Sequence, residues 1–237
     1  MTDRVGAAAV PGKYAAAIAE YTVALYLDSN DASAYNGRGL AYYHQGDFDK
    51  AVSDFTFAIQ LVPGVAGVYA NRGNAYYKKR YYDEAIADFT SAIQLDQKLV
   101  SVYFNRGSAH YQNKDYGKAI DDFTSALQLD PKNAQMYPSR GLAYAESKDF
   151  DSAIADYTIS ISLNPKNAMA YNNRGRAHFL KGDFDKAIAD CTTAMEQDPK
   201  LALAYRNRGN ALNKKGDYVG AEADFDKARE LGYKWKP

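Results

Sequence analysis

Cysteine occurs once, at Cys191, so no disulfide can close within the chain, and the residue says nothing about compartment. Neither sign of charge dominates: 29 Lys and Arg face 29 Asp and Glu, and the pI is about 6.8. That balance removes the basic footprint of a general nucleic-acid binder. No apolar run approaches the roughly 18–20 residues of a membrane span, so no membrane insertion is expected. The stretch from Met1 to Tyr14 holds one arginine and a short alanine run, too weakly hydrophobic for a signal peptide. Leu, Ile, Val and Phe make up only 44 of 237 residues, a shortage that would mark disorder in a highly charged chain but not in a neutral one. The missing bulk is supplied by 21 Tyr and 39 Ala, and alanine favours helices that approach one another closely.

What the chain does have is self-similarity. An Arg-Gly pair recurs every 34 residues, at Arg38, Arg72, Arg106, Arg140, Arg174 and Arg208 with the glycine that follows each. Two more series keep the spacing: Ala51, Ala85, Ala119, Ala153, Ala187, Ala221, and Phe55, Phe89, Phe123, Tyr157, Cys191, Phe225. Within one repeat, Tyr35, Gly39 and Tyr42 share a helical face, Gly46-Asp47 breaks the helix, and Ala51, Phe55 and Ala58 share a second face. Pro63 closes the repeat, as do Pro131, Pro165 and Pro199. Such a helix pair cannot bury both of its sides alone and must stack on the next pair.

This pattern resembles the tetratricopeptide repeat (TPR), with Tyr in place of the family's Trp and Arg before the glycine. The resemblance implies an all-α fold, a right-handed superhelical solenoid of helix-turn-helix repeats. Six complete repeats are expected at 32–65, 66–99, 100–133, 134–167, 168–201 and 202–235, with a tail at 236–237. A partial repeat precedes them at 1–31, with its second helix at about 14–27, a stub over Val5–Val10 ahead of it, and Arg4 and Glu20 keeping the Arg–acid register. Pro11-Gly12 reads as a break between stub and helix.

Every arginine of the Arg-Gly series has an aspartate sixteen residues on: Asp54, Asp88, Asp122, Asp156, Asp190 and Asp224. A charge recurring this way calls for a partner. Each arginine can reach the aspartate of its own repeat or that of the preceding one, about two residues off level. Structural ion pairs are the expectation, with a ligand-binding arginine row as the competing reading.

The resemblance implies that certain first-helix positions face a concave ligand groove. Here these are Tyr43, Asn71, Asn74, Tyr77, Phe104, Asn105 and Tyr111 early, then Asn172, Asn173, Arg176, Phe179, Arg206, Asn207, Asn210 and Lys214 late. The groove reads as an aromatic floor with an amide wall, its basic residues gathered at the late end. Tyrosine suits recognition, having a large area, few rotors and a polar tip. The two-carboxylate clamp of one family subset is not expected, because Ala70, Gln135 and Ser139 stand where its cations belong.

No catalytic residues, metal ligands or cofactor motifs are found: there is no zinc spacing, phosphate loop or nucleophile elbow. His110 and His178 occupy the slot of Tyr42, Tyr76 and Tyr144, His44 reads as a surface residue standing alone, and Cys191 reads as a small buried hydrophobe. The expected function is a non-catalytic scaffold that binds an acidic protein or peptide segment near Arg176, Arg206, Asn210 and Lys214. The alternatives are a self-assembling scaffold or the regulatory arm of a larger enzyme. The style of the repeats resembles bacterial TPR proteins and implies a cytoplasmic setting. Glu222 and Arg229, where earlier repeats carry apolar residues, read as a polar end cap with the tail and Trp235 folded against it. The N-terminal edge, with Ala17, Tyr21 and Ala24 facing where a first helix would lie and only a short stub to cover them, is expected to support a weak homodimer.

Overall fold

The computed structural model describes residues 10–234. Among them the fold is all-α, with no strand. The chain divides into two compact units, Met1–Asp115 and Tyr116–Pro237. The N-terminal unit carries α1 (Val10–Leu27), α2 (Ala32–Gln45), α3 (Phe48–Leu61), α4 (Ala66–Lys78), α5 (Tyr82–Leu95) and α6 (Val100–Gln112). The C-terminal unit carries α7 (Tyr116–Leu129), α8 (Met136–Glu146), α9 (Phe150–Leu163), α10 (Ala168–Lys181), α11 (Phe184–Gln197), α12 (Ala202–Lys215) and α13 (Tyr218–Glu230). Arg4, Val5 and Trp235, and with them the expected stub and the packing of the Trp tail, lie outside the described residues.

Within each unit, helices adjacent in sequence pack on one another in antiparallel pairs. Each first helix ends in a left-handed residue. Glycine fills that place at Gly46, Gly182 and Gly216 (φ 86 to 95°), but Arg80, Lys114 and Lys148 fill it elsewhere at φ 63 to 66°. The next amide then reaches back five residues, as from Asp47 to the Tyr42 carbonyl at 2.9 Å, closing the helix end. The same aspartate starts the second helix: the carboxylates of Asp47, Asp149 and Asp217 accept from the amides of Lys50, Ser152 and Gly220. At α5 the cap position is Tyr81, which supplies no side-chain bond.

One sequence expectation is corrected. Pro11-Gly12 lies inside α1, which begins at Val10, so it does not separate a stub from the helix. A proline in the first turn forfeits only an amide that has no helical partner anyway. By the same logic Pro138 is tolerated in α8, which starts at Met136 and is the short first helix, at 11 residues.

In four hairpins the core is a glycine against a ring, at Gly39, Gly73, Gly141 and Gly209. A Cβ on Gly39 would stand 2.7 Å from the Phe55 ring, and one on Gly73 2.8 Å from that of Phe89. Phe55 and Phe89 are fully buried, and Ala51, Ala58, Ala85 and Ala92 close around them. Tyr157 and Cys191 fill the same slot beside Gly141 and Gly175. Tyr21, their equivalent in α1, is 37% exposed and lies instead over Gly37 of α2.

Candidate partner-binding face

The arginine series is resolved into a lattice. Arg38, Arg72, Arg140, Arg174 and Arg208 each make a two-pronged bond, Nε and Nη2 to both carboxylate oxygens of Asp54, Asp88, Asp156, Asp190 and Asp224, at 2.7–2.8 Å. The acceptor is therefore the aspartate of the same repeat. These aspartates are buried, and the charge-assisted bond raises each guanidinium above its ordinary pKa against the opposing effect of desolvation. Asp122 is buried likewise.

The third prong was not read from the sequence. Nη1 of each arginine, Arg106 included, donates to a threonine of the preceding repeat: Thr22, Thr56, Thr90, Thr124, Thr158 or Thr192, at 3.0–3.3 Å. The hydroxyls of Thr22, Thr56, Thr90 and Thr158 also donate to a carbonyl four residues back, so both their lone pair and their proton are used. The threonines recur at the 34-residue period, a signal present in the sequence. These side chains thus tie one layer to the next.

The early groove residues converge. Tyr43, Asn74, Tyr77, Phe104 and Asn105, joined by Lys78 and Ser108, line one cavity of about 330 Å³. Beside it, Leu40, Tyr43, His44, Asn71 and Asn74 line another of about 180 Å³. Tyr111 lines neither. Burial raises the pKa of Tyr43 and Tyr77, so both phenols stay protonated at neutral pH. Lys78, exposed at the C-terminal end of α4, places a cation at the early end, for which the sequence suggests aromatics and amides but no cation. His44 does not stand alone: it stacks on Tyr14 at 5.3 Å and meets Tyr43 edge-on at 5.5 Å.

The late residues behave differently. Arg176 Nη1 lies 3.5 Å from Glu146 Oε1. Arg206 Nη1 donates to the Tyr233 hydroxyl at 2.6 Å and sits over that ring at 5.2 Å. Asn172 and Asn207 are buried, with the Asn207 amide donating to Asn172 at 2.9 Å and the Asn172 amide to Asn173 at 3.2 Å. Phe179 packs on Phe184 at 5.7 Å. Asn210 is half-buried, and Lys214 is exposed with no ion-pair partner among the described residues. Of the expected late cations, two are thus in contact with the chain's own Glu146 and Tyr233. Part of the amide wall is likewise bonded within the chain. Asn71 donates to Asn36 at 3.1 Å and Asn105 to Asn74 at 2.9 Å, so these amides brace neighbouring first helices.

His178 is buried, and its Nδ1 is 3.6 Å from Asp183, beyond hydrogen-bond reach; burial lowers its pKa. Burial pushes the Cys191 thiol up to about 12, so a thiolate is not available at neutral pH. Among the described residues there is no group of three or more His, Cys, Asp or Glu placed to hold a metal ion, and no helix long and apolar enough to cross a membrane.

Helix hairpins of a 34-residue period, a glycine-on-ring core and sequential stacking define the class of TPR solenoids. Sequence profiles described as tetratricopeptide repeat match residues 32–64, 100–133 and 139–202, and one described as TPR repeat matches 11–46 and 81–114. The chain belongs to the TPR family. Among solved structures it is similar to YrrB, described as a TPR protein with an unusual peptide-binding site, at 25% identity and TM-score 0.63 over 75% of this chain and 92% of that one. It is also similar to MamA, at 27% identity and TM-score 0.68 over 72% and 93% of the two chains. It shares the fold of a TPR repeat-containing protein from Cytophaga hutchinsonii, at 21% identity and TM-score 0.78 over 93% and 91%. No curated protein sequence matches it significantly. The family supports a general role as a protein-interaction scaffold.

Proposed function

We propose that the chain is a non-catalytic scaffold built from six 34-residue repeats and a preceding partial one, and that it binds a segment of a protein partner on the first-helix face of its N-terminal unit. The observation that carries this reading is the cavity of about 330 Å³ walled by Tyr43, Tyr77 and Phe104. Aromatic walls offer area at low entropic cost, and the nearby amides can meet a peptide backbone. The similarity to a peptide-binding TPR protein supports it. The test is site-specific photo-cross-linking. A cross-linker at Ser108, on the cavity rim, captures a partner segment, the capture is abolished by Tyr77→Ala, and a cross-linker at Ala87 on the outer side of α5 captures nothing. Capture at Ala87 alone would overturn the reading.

A second reading has its own observation. On α1, Val23, Tyr26 and Leu27 are 59, 88 and 80% exposed, an apolar face suited to self-association. Sedimentation of wild type beside Tyr26→Glu separates the two readings: a monomer in both cases excludes this interface.

A further inference from the structure

The C-terminal unit contains its own example of how a carboxylate is received on this face. Glu146 is the thirteenth residue of its repeat and Arg176 the ninth of the next, and the two meet at 3.5 Å across adjacent first helices. In the N-terminal unit the same two places are held by Lys78 and Ser108. No carboxylate fills the gap: Lys78 is exposed with no ion-pair partner among the described residues, while its neighbour Lys79 is taken by Asp49 at 2.5 Å. Lys78 and Ser108 both line the cavity walled by Tyr43, Tyr77 and Phe104. At about 330 Å³ that cavity is at the bottom of the range for small-molecule sites, sized for one large side chain and some water rather than a whole ligand. The Asn105 amide is spent on the Asn74 oxygen at 2.9 Å, which leaves the Asn74 amide as a donor and the Asn105 oxygen as an acceptor for a peptide group alongside.

We propose that this site takes an extended, internal segment of a protein partner, with one aromatic or long aliphatic side chain between Tyr43, Tyr77 and Phe104 and an Asp or Glu within two residues of it on the Lys78 ammonium. The inference rests on the reading of this face as the partner site and adds the chemistry of the partner. It relocates the acidic contact from the late cations to α4. The segment's carboxylate completes in the N-terminal unit the charge pairing that Glu146 and Arg176 complete in the C-terminal one.

Random peptides displayed on phage are selected on the full chain, and the winners are remade with acetylated and amidated ends and measured by fluorescence anisotropy. The selected peptides share an apolar large residue next to an acid. Lys78→Glu weakens them by about tenfold, and replacing their acid by lysine restores binding to that variant. Tyr77→Ala weakens them whatever their charge. Lys78 is exposed at the end of α4, so its reversal lowers the thermal melt only slightly, by the helix-end charge effect. Peptides that ignore Lys78→Glu but are lost on Tyr43→Ala or Phe104→Ala would overturn the acidic partner and leave the site standing. Peptides indifferent to all of these variants, or no selection at all, would overturn the site itself.

Discussion

At the thirteenth residue of the repeat, Lys78 in the N-terminal unit stands beside an open cavity, whereas Glu146 in the C-terminal unit reaches Arg176. At the fifth residue, Asn172 is buried under Asn207, and Arg206 is held by Tyr233. Beneath these differences the two units share one lattice: Arg72 to Asp88 and Thr56 in one, Arg174 to Asp190 and Thr158 in the other, at matching distances. A repeat protein can hold its layers together with one set of positions and vary recognition with another. The positions that vary here lie outside the Arg–Asp–Thr set.

The lattice should therefore give equal effects in both units. Arg72→Ala and Arg174→Ala each strand a buried aspartate and should cost about 3 kcal/mol. In a chain of this size that lowers the melting temperature by roughly 6–12 °C in a circular dichroism melt. A loss confined to one unit's variant would break the claim of a common lattice. Next in size, Gly73→Ala should cost about 2 kcal/mol, since its Cβ would meet the Phe89 ring at 2.8 Å inside a closed core. Gly175→Ala meets the Cys191 sulfur at 2.8 Å and the Ala187 carbonyl at 3.2 Å and should cost a similar amount. If Gly175→Ala were neutral, the smaller Cys191 would be shown to leave slack that Phe89 does not.

Smaller effects, one of each sign, are expected at two helix starts that differ in their caps, one in each unit. Tyr81 offers no cap, whereas Asp149 accepts from the Ser152 amide at 3.1 Å. Tyr81→Asp should stabilise by about 1 kcal/mol and Asp149→Ala should destabilise by as much, both read by urea denaturation. The smallest effect concerns pH. Burial lowers the pKa of His178 in the folded chain, so below the ordinary histidine value of 6.5 the unfolded chain binds the proton more readily. Stability should accordingly fall as pH drops from 6.5 toward 5. His178→Tyr, the residue found at Tyr144, should flatten that part of the profile; an unchanged slope would place the acid sensitivity elsewhere.

Much of the fold was legible because a 34-residue period repeats the same physical demand at every turn. The two helix faces, Tyr35, Gly39 and Tyr42 on one and Ala51, Phe55 and Ala58 on the other, could be read from spacing alone, as could each arginine's need for an aspartate. Which aspartate each arginine takes could not, since two lay within reach along the sequence. The threonine rung was written at the same period but carries no charge to draw attention to it. The Pro11-Gly12 break was misread because a proline signals a boundary without saying on which side of it the helix lies.

The sequence by itself determined the helix hairpins, their repeat length and the residues that must be small or large between them, because these follow from local periodicity. Only the tertiary structure decided which of the residues expected to line a groove are bonded within the chain. Arg176 and Arg206 look unpartnered along the chain, yet Glu146 lies 30 residues before one and Tyr233 27 residues after the other, and stacking brings them together. Lys78 faces Ser108 across the same kind of step, and the hydroxymethyl group there provides no counter-charge. Whether a cation on a repeat is structural or available depends on what the next layer sets opposite it, and that is a matter of packing rather than of local sequence.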